Sequence, residues 1–183
     1  MNNQEKNSYV KRQIVQALLA LMEERAFSEI SICALTERAC VGRASFYRNF
    51  ESKEDVLRQE AERLMREWES EWAQRESAAP EDFLTELLNF YQRHAAFYLL
   101  LYRAGQSGVL LDAMLRSADI TPELPNAAAY LKSAMAYMLY GWVIEWMRRG
   151  MQESGTELAR MIRAAQAEEA ARQSGSPRVS RAG

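Results

Sequence analysis

Apolar residues recur along this chain at helical spacing. Val10, Ile14, Ala17, Leu18 and Leu21 follow one another at i, i+3 and i+4 intervals, while Lys11, Arg12, Gln16 and Glu23 lie mostly on other faces. That pattern predicts an amphipathic helix over residues 8–25. A short connector, residues 26–30, follows. Ser31 is placed to cap a second, short helix over 32–39, with Ile30 and Leu35 as a hydrophobic staple across its start. Cys40, Val41 and Gly42 read as a turn, and residues 43–49 as a third short helix. Ser52 caps a fourth helix, with Asp55 at the third position of a variant capping box. Val56, Leu57, Ala61, Leu64, Met65, Trp68 and Trp72 run along it.

The same reading continues to the end of the chain. Residues 75–80 form a joint, and Pro80, Glu81 and Asp82 suit the start of a helix reaching to about residue 103. Residues 104–108 break it, and a short helix over 109–117 follows. Pro122 and Pro125 mark a connector, and Asn126 is placed to cap a helix ending near Gly150. Thr156 opens a last helix to about residue 172. Residues 173–183, rich in Ser, Gly, Pro and Arg, are expected to be a flexible tail. There is no sustained two-residue alternation and no Asn-Gly or Asp-Gly turn, so the fold class is all-α.

Composition narrows the function. The 183 residues are 48% hydrophobic, enough for a real core, and the formal net charge is −2. Nucleic-acid binding must therefore come from a local surface and not from an overall polycation. No apolar run approaches the roughly 18 residues of a membrane span, and residues 1–7 lack the apolar core of a secretory signal. A cytoplasmic location without membrane contact is expected. Cys33 and Cys40 on one helix would sit about 10 Å apart, too far for a disulfide, and are read as small buried apolar residues, with a redox switch as the alternative. His94 is the only histidine, and Tyr91 stands where a Glu-x-x-His metal motif would need its carboxylate. Gly-rich phosphate loops, cysteine clusters and nucleophile elbows are also missing, so neither catalysis, a metal nor a cofactor is expected.

Two short helices joined by a three-residue turn form a helix-turn-helix, in which the first helix braces a second that enters a DNA major groove about 12 Å wide. Ile32, Leu35 and Ala39 supply the brace, and Phe46 and Phe50 the inward anchors. Arg43, Ala44, Tyr47 and Arg48 are left to face outward, and the small Ala44 and Ser45 allow close approach to bases.

The run Val41-Gly42-Arg43-Ala44-Ser45-Phe46-Tyr47-Arg48-Asn49-Phe50-Glu51-Ser52-Lys53-Glu54-Asp55-Val56-Leu57 resembles the signature of TetR-type (TetR/AcrR) transcriptional regulators. The resemblance spans about residues 9–65. It departs at the turn, where Cys40 and Gly42 stand for Gly and Ser, and at Ser45 and Asn49, which stand for Thr and His. It implies a three-helix DNA-binding head at 1–57 and a helical ligand-binding and dimerisation body at 58–172. It further implies phosphate contacts from Tyr47, Lys53 and Ser31, with Arg43 and Arg48 on base edges or phosphates, and it makes Ala44 and Ser45 part of the reading surface. The implied function is that of a ligand-responsive transcriptional regulator, expected to be a repressor, bound as a homodimer to an inverted-repeat operator.

The body is rich in Met and aromatic residues, which fit either a bundle core or an adaptable apolar cavity. Trp68, Trp72, His94, Tyr98, Tyr102, Met138, Trp142 and Glu145 are the candidate contacts for a small apolar effector. The small residues Ala127, Ala128, Ala129, Ala134, Ala136 and Gly141, with Tyr137, Trp142 and Ile144, suit either a dimer seam or an internal core. The competing function is a DNA-binding head controlled by a protein partner, or one with a non-transcriptional role on DNA. A preformed apolar cavity separates the two.

Overall fold

The computed structural model describes residues 3–75, 79 and 82–175, and these are helical with short connections. The helices are α1 (Asn3–Glu24), α2 (Ile32–Arg38), α3 (Arg43–Tyr47), α4 (Lys53–Ala73), α5 (Phe83–Arg93), α6 (Ala95–Arg103), α7 (Gly108–Ser117), α8 (Asn126–Arg148) and α9 (Gly155–Gly175). A 3-10 turn, Phe27–Glu29, lies between α1 and α2. Among the described residues no helix is long and apolar enough to cross a membrane.

The head is built as its pattern dictates. Ile14, Leu18 and Leu21 of α1 close over Leu35 of α2, Phe46 of α3 and Val56 and Leu57 of α4, all buried. Ser31 Oγ accepts the Ala34 N–H at 3.1 Å, and Ser52 Oγ accepts the Asp55 N–H at 3.1 Å, so both caps fall where the sequence places them. The Asp55 carboxylate, itself buried, accepts the Glu51 N–H at 3.0 Å and an Nε2–H of Gln59 at 2.9 Å.

The turn between α2 and α3 takes an unusual route. Val41 N–H reaches back to the Thr36 carbonyl at 3.0 Å, closing a Schellman-type end, and the residue that must turn left-handed is Cys40, with φ +52°. The same backbone pattern ends α6 at Gly105 and α8 at Gly150, where φ is +67° and +80°. At Cys40, as at Asp119 after α7 with φ +48°, the left-handed residue carries a side chain.

The long helix expected up to residue 103 is in fact two. His94 interrupts it at φ −108° and ψ +22°, serving as the end of α5 and the start of α6. Helix α4 runs unbroken through residue 57, packing on α1 in the head and on α7 in the body. Helix α9 lies along α5, and its first residue, Gly155, meets α5 closely. A Cβ on Gly155 would lie 2.5 Å from the Asn89 backbone nitrogen. The helix also continues past the expected start of the tail to Gly175; the rest of the tail, residues 176–183, lies outside the described residues.

Candidate nucleic-acid interface and effector groove

Helix α3 divides cleanly into two faces. Phe46 is fully buried, meets Tyr47 edge-on at 5.3 Å between ring centroids and lies tilted against Phe50 at 5.9 Å. Tyr47 itself is 60% exposed, and Arg43, Ala44 and Arg48 are exposed beside it. Four of the residues expected to meet DNA therefore share one solvent-facing surface. Ser45 is half-buried and is used locally. Its Oγ accepts from Arg48 Nη2 at 2.7 Å, and its carbonyl accepts from Asn49 Nδ2 at 2.8 Å. Arg43 lies beside Cys33, Tyr47 and Glu37, and a hydrogen bond with Cys33 is the main cause that holds its pKa above the ordinary arginine value. Ser31 is exposed at the start of α2.

Lys53 is engaged within the chain. Its ammonium donates to the carbonyls of Phe27 at 2.5 Å, Ile30 at 3.0 Å and Ser28 at 3.4 Å, and it stands 4.5 Å from the centre of the Phe27 ring. It thus ties the start of α4 to the segment that enters α2. Nothing in the residue pattern signals this, because the acceptors are backbone carbonyls some 25 residues upstream.

The body holds an apolar groove of about 480 Å³ between α4, α5, α7 and α8. Trp68, Met138 and Trp142, three of the expected ligand contacts, are in its wall. Trp72 lies just behind, stacked on Trp68 at 5.6 Å and edge-on to the wall residue Phe83 at 5.1 Å. The other candidates are elsewhere. Tyr98 is buried against Tyr91, and burial raises its pKa. His94 sits at the α5–α6 junction against Phe90, and Tyr102 is half-buried on α6. Glu145 pairs on the surface with Arg148 and Arg149, whose hydrogen bonds pull its pKa down to about 2. The wall also contains Lys132, which the sequence reading missed although it is the only charged residue between Asn126 and Ile144. Among the described residues no group of His, Cys, Asp or Glu could hold a metal ion.

Helix α8 carries a second apolar stripe that its own chain leaves open. Tyr130 is 73% exposed and Leu131 62%, with Met135, Tyr137 and Met138 also exposed. Ala127, Ala134 and Gly141 lie along it at seven-residue spacing and are exposed too. Of the residues expected at a dimer seam, Ala136 is instead buried, and Trp142 and Ile144 pack partly against the chain's own core.

Residues 14–59 match the family of bacterial regulatory proteins of the tetR type. No curated protein matches the chain. Its fold is similar to that of a solved Listeria innocua protein, with a TM-score of 0.75 at 18% identity over 91% of this chain and 94% of that one. It is similar also to a TetR-family transcriptional regulator of Syntrophomonas wolfei, with a TM-score of 0.63 at 18% identity over 98% of this chain and 100% of that one. A third likeness is to the fatty acid degradation regulator FadR of Bacillus halodurans, with a TM-score of 0.54 at 18% identity over 84% and 92%.

Proposed function

On the premise that the chain carries the DNA-binding head of the tetR family at residues 14–59, we propose that it regulates transcription as a homodimer on an inverted-repeat operator, under the control of a small, largely apolar effector. The observation that carries this reading is the division of α3, with Phe46 anchored in the core and Arg43, Ala44, Tyr47 and Arg48 on one open face. Such a face is what a major groove admits. Arg43 offers a planar two-pronged donor suited to the O6 and N7 edge of guanine, Ala44 leaves room for close approach, and Tyr47 and Arg48 reach phosphates. Ser31 adds a hydroxyl at a helix start, where backbone N–H groups favour an anion. Lys53 acts chiefly by positioning the start of α4 and adds positive charge near the backbone.

A single head contacts only a few base pairs, so useful specificity calls for two. The open stripe of α8 supports pairing through that helix. It is apolar, its small residues permit close approach, and a face that pairs with itself suits a two-fold axis. Helix α4 is the natural lever between effector and DNA. It begins at Lys53 and reaches the groove wall at Met65 and Trp68, a distance of about 20 Å at 1.5 Å per residue. An effector that prefers one tilt of this helix shifts the spacing of the two heads, and a coupling of about 1–3 kcal/mol is ordinary for such switches.

The test joins sedimentation with fluorescence anisotropy of a labelled duplex. A dimer at micromolar concentration is expected, with duplex binding at low salt that weakens linearly on a log–log scale as salt rises. A monomer, or no duplex binding at low salt, would overturn the reading.

A further inference from the structure

The groove between α4, α5, α7 and α8 is open along one side, and that side borders the exposed stripe of α8. Met135 and Met138 belong to both. They line the groove, yet they are 52% and 45% exposed. Tyr130 and Leu131 continue the stripe one turn earlier, and at Gly141, further along, an added Cβ would meet open space within its own chain. The chain's own packing therefore leaves unused both the apolar side chains that rim the groove and the small residues beside them.

The chemistry of the wall is lopsided. It is made of Met, Trp, Phe, Leu and Ala side chains with one serine, and Lys132 is its single ionised group. Lys132 Nζ donates to the Ala118 carbonyl at 2.8 Å and more weakly to the Asp119 carbonyl at 3.5 Å. These acceptors sit at the end of α7 and carry only partial charge, and no carboxylate pairs with the ammonium among the described residues. While the groove is open, water solvates that charge. Covering the groove removes the water and leaves an ammonium in an apolar enclosure, which is costly unless an anion comes with it.

We infer that a second copy of this chain, lying along the α8 stripe, closes this groove, and that the closed site takes a molecule with an apolar body and one acidic group placed at Lys132. The inference rests on the dimer proposed above and adds the chemical class of the effector and the shared nature of its site. An acid of this kind supplies the counter-charge that closure demands; a neutral molecule of the same shape does not. By reciprocity, such an acid also strengthens the dimer.

Decanoate and decan-1-ol form a matched pair of probes, and the wall residues Trp68 and Trp142 report occupancy by fluorescence. The wild-type dimer is expected to bind decanoate about tenfold or more tightly than the alcohol. Lys132→Met is expected to bind the two alike, and Lys132→Arg to keep the preference, which separates charge from any loosening of the α7 end. Leu131→Glu, on the stripe but outside the wall, is expected to give a monomer with weakened decanoate binding. Diluting the wild type through dimer dissociation should weaken binding in the same way without any substitution. Equal or absent binding of the two probes by the wild-type dimer, full decanoate affinity in Lys132→Met, or full affinity in the monomer would each overturn the inference. A dimeric, DNA-binding wild type with no preference for the acid would overturn this inference alone. A monomeric wild type would remove the dimer as well.

Discussion

The Lys53 ammonium donates to the Phe27 carbonyl at 2.5 Å, joining the first residue of α4 to the turn that leads into α2. The contact fixes two elements that flank the reading helix, so Lys53 has a role in stability apart from any role on DNA. Lys53→Met is expected to cost about 1–3 kcal/mol, because it leaves carbonyls without a charged donor. Thermal unfolding without DNA is the check. An unchanged melting temperature would mean that the ammonium is spare and serves phosphate alone.

Phe46 and Tyr47 are neighbours with opposite duties. Phe46→Ala is expected to destabilise the head by about 3–5 kcal/mol through the cavity it leaves. Tyr47→Phe is expected to leave unfolding unchanged within about 0.5 kcal/mol while weakening binding to every duplex, since it removes only an exposed hydroxyl. Chemical denaturation and duplex titration of both variants separate these effects. Equal DNA affinity for Tyr47→Phe and the wild type would remove the tyrosine from the interface.

Gly155 allows α9 to meet α5 backbone to backbone. A methyl group there would lie 2.5 Å from Asn89 N and 2.6 Å from the Leu88 carbonyl carbon, and neither can swing aside as a side chain would. Gly155→Ala is expected to destabilise by about 1–3 kcal/mol, although alanine is the better helix former. An unfolding curve that matches or exceeds the wild type would show that α9 can slide along α5.

His94 gives the fold a pH dependence. Its burial is the main cause that holds its pKa below the ordinary 6.5; Arg63 of α4 and Arg93 of α5 act in the same direction, and Glu67 and Glu60 of α4 oppose them. The unfolded chain therefore takes up this proton first. The stabilisation is complete above about 6.5 and is lost as pH falls from there through the lower folded-state value. Glutamine cannot titrate, so His94→Gln is expected to lose less melting temperature than the wild type between pH of about 7.5 and 5. Parallel losses in the two proteins would assign the acid sensitivity to other groups.

The head was legible from sequence because its signals are local. Cap residues stand next to the helices they cap, and Phe46 and Phe50 lie one turn apart. Cys40 was legible as a departure from a turn glycine, and the structure keeps the left-handed turn there, with φ +52° and the Val41–Thr36 bond closed. The break at His94 carries no proline or glycine and arises where two helices turn to cover a common core. Helix α8 is apolar nearly all round, so periodicity could not divide its buried face, with Val143 and Trp146, from its open stripe. Lys53 and Lys132 find their partners through the fold, on backbone carbonyls of another segment, which carry no residue-type signal.

Selection of bound fragments from random duplex DNA, run in parallel with the wild type and with Arg43→Ala, tests the central claim that α3 reads DNA. The wild type is expected to enrich an approximate inverted repeat whose half-sites lie about one helical turn apart or slightly more. Arg43→Ala is expected to enrich the same repeat with relaxed preference at one base pair in each half-site, at a cost of about 1–3 kcal/mol. A wild type that enriches no duplex at low salt, or an Arg43→Ala variant whose selected sequence is identical at every position, would contradict it.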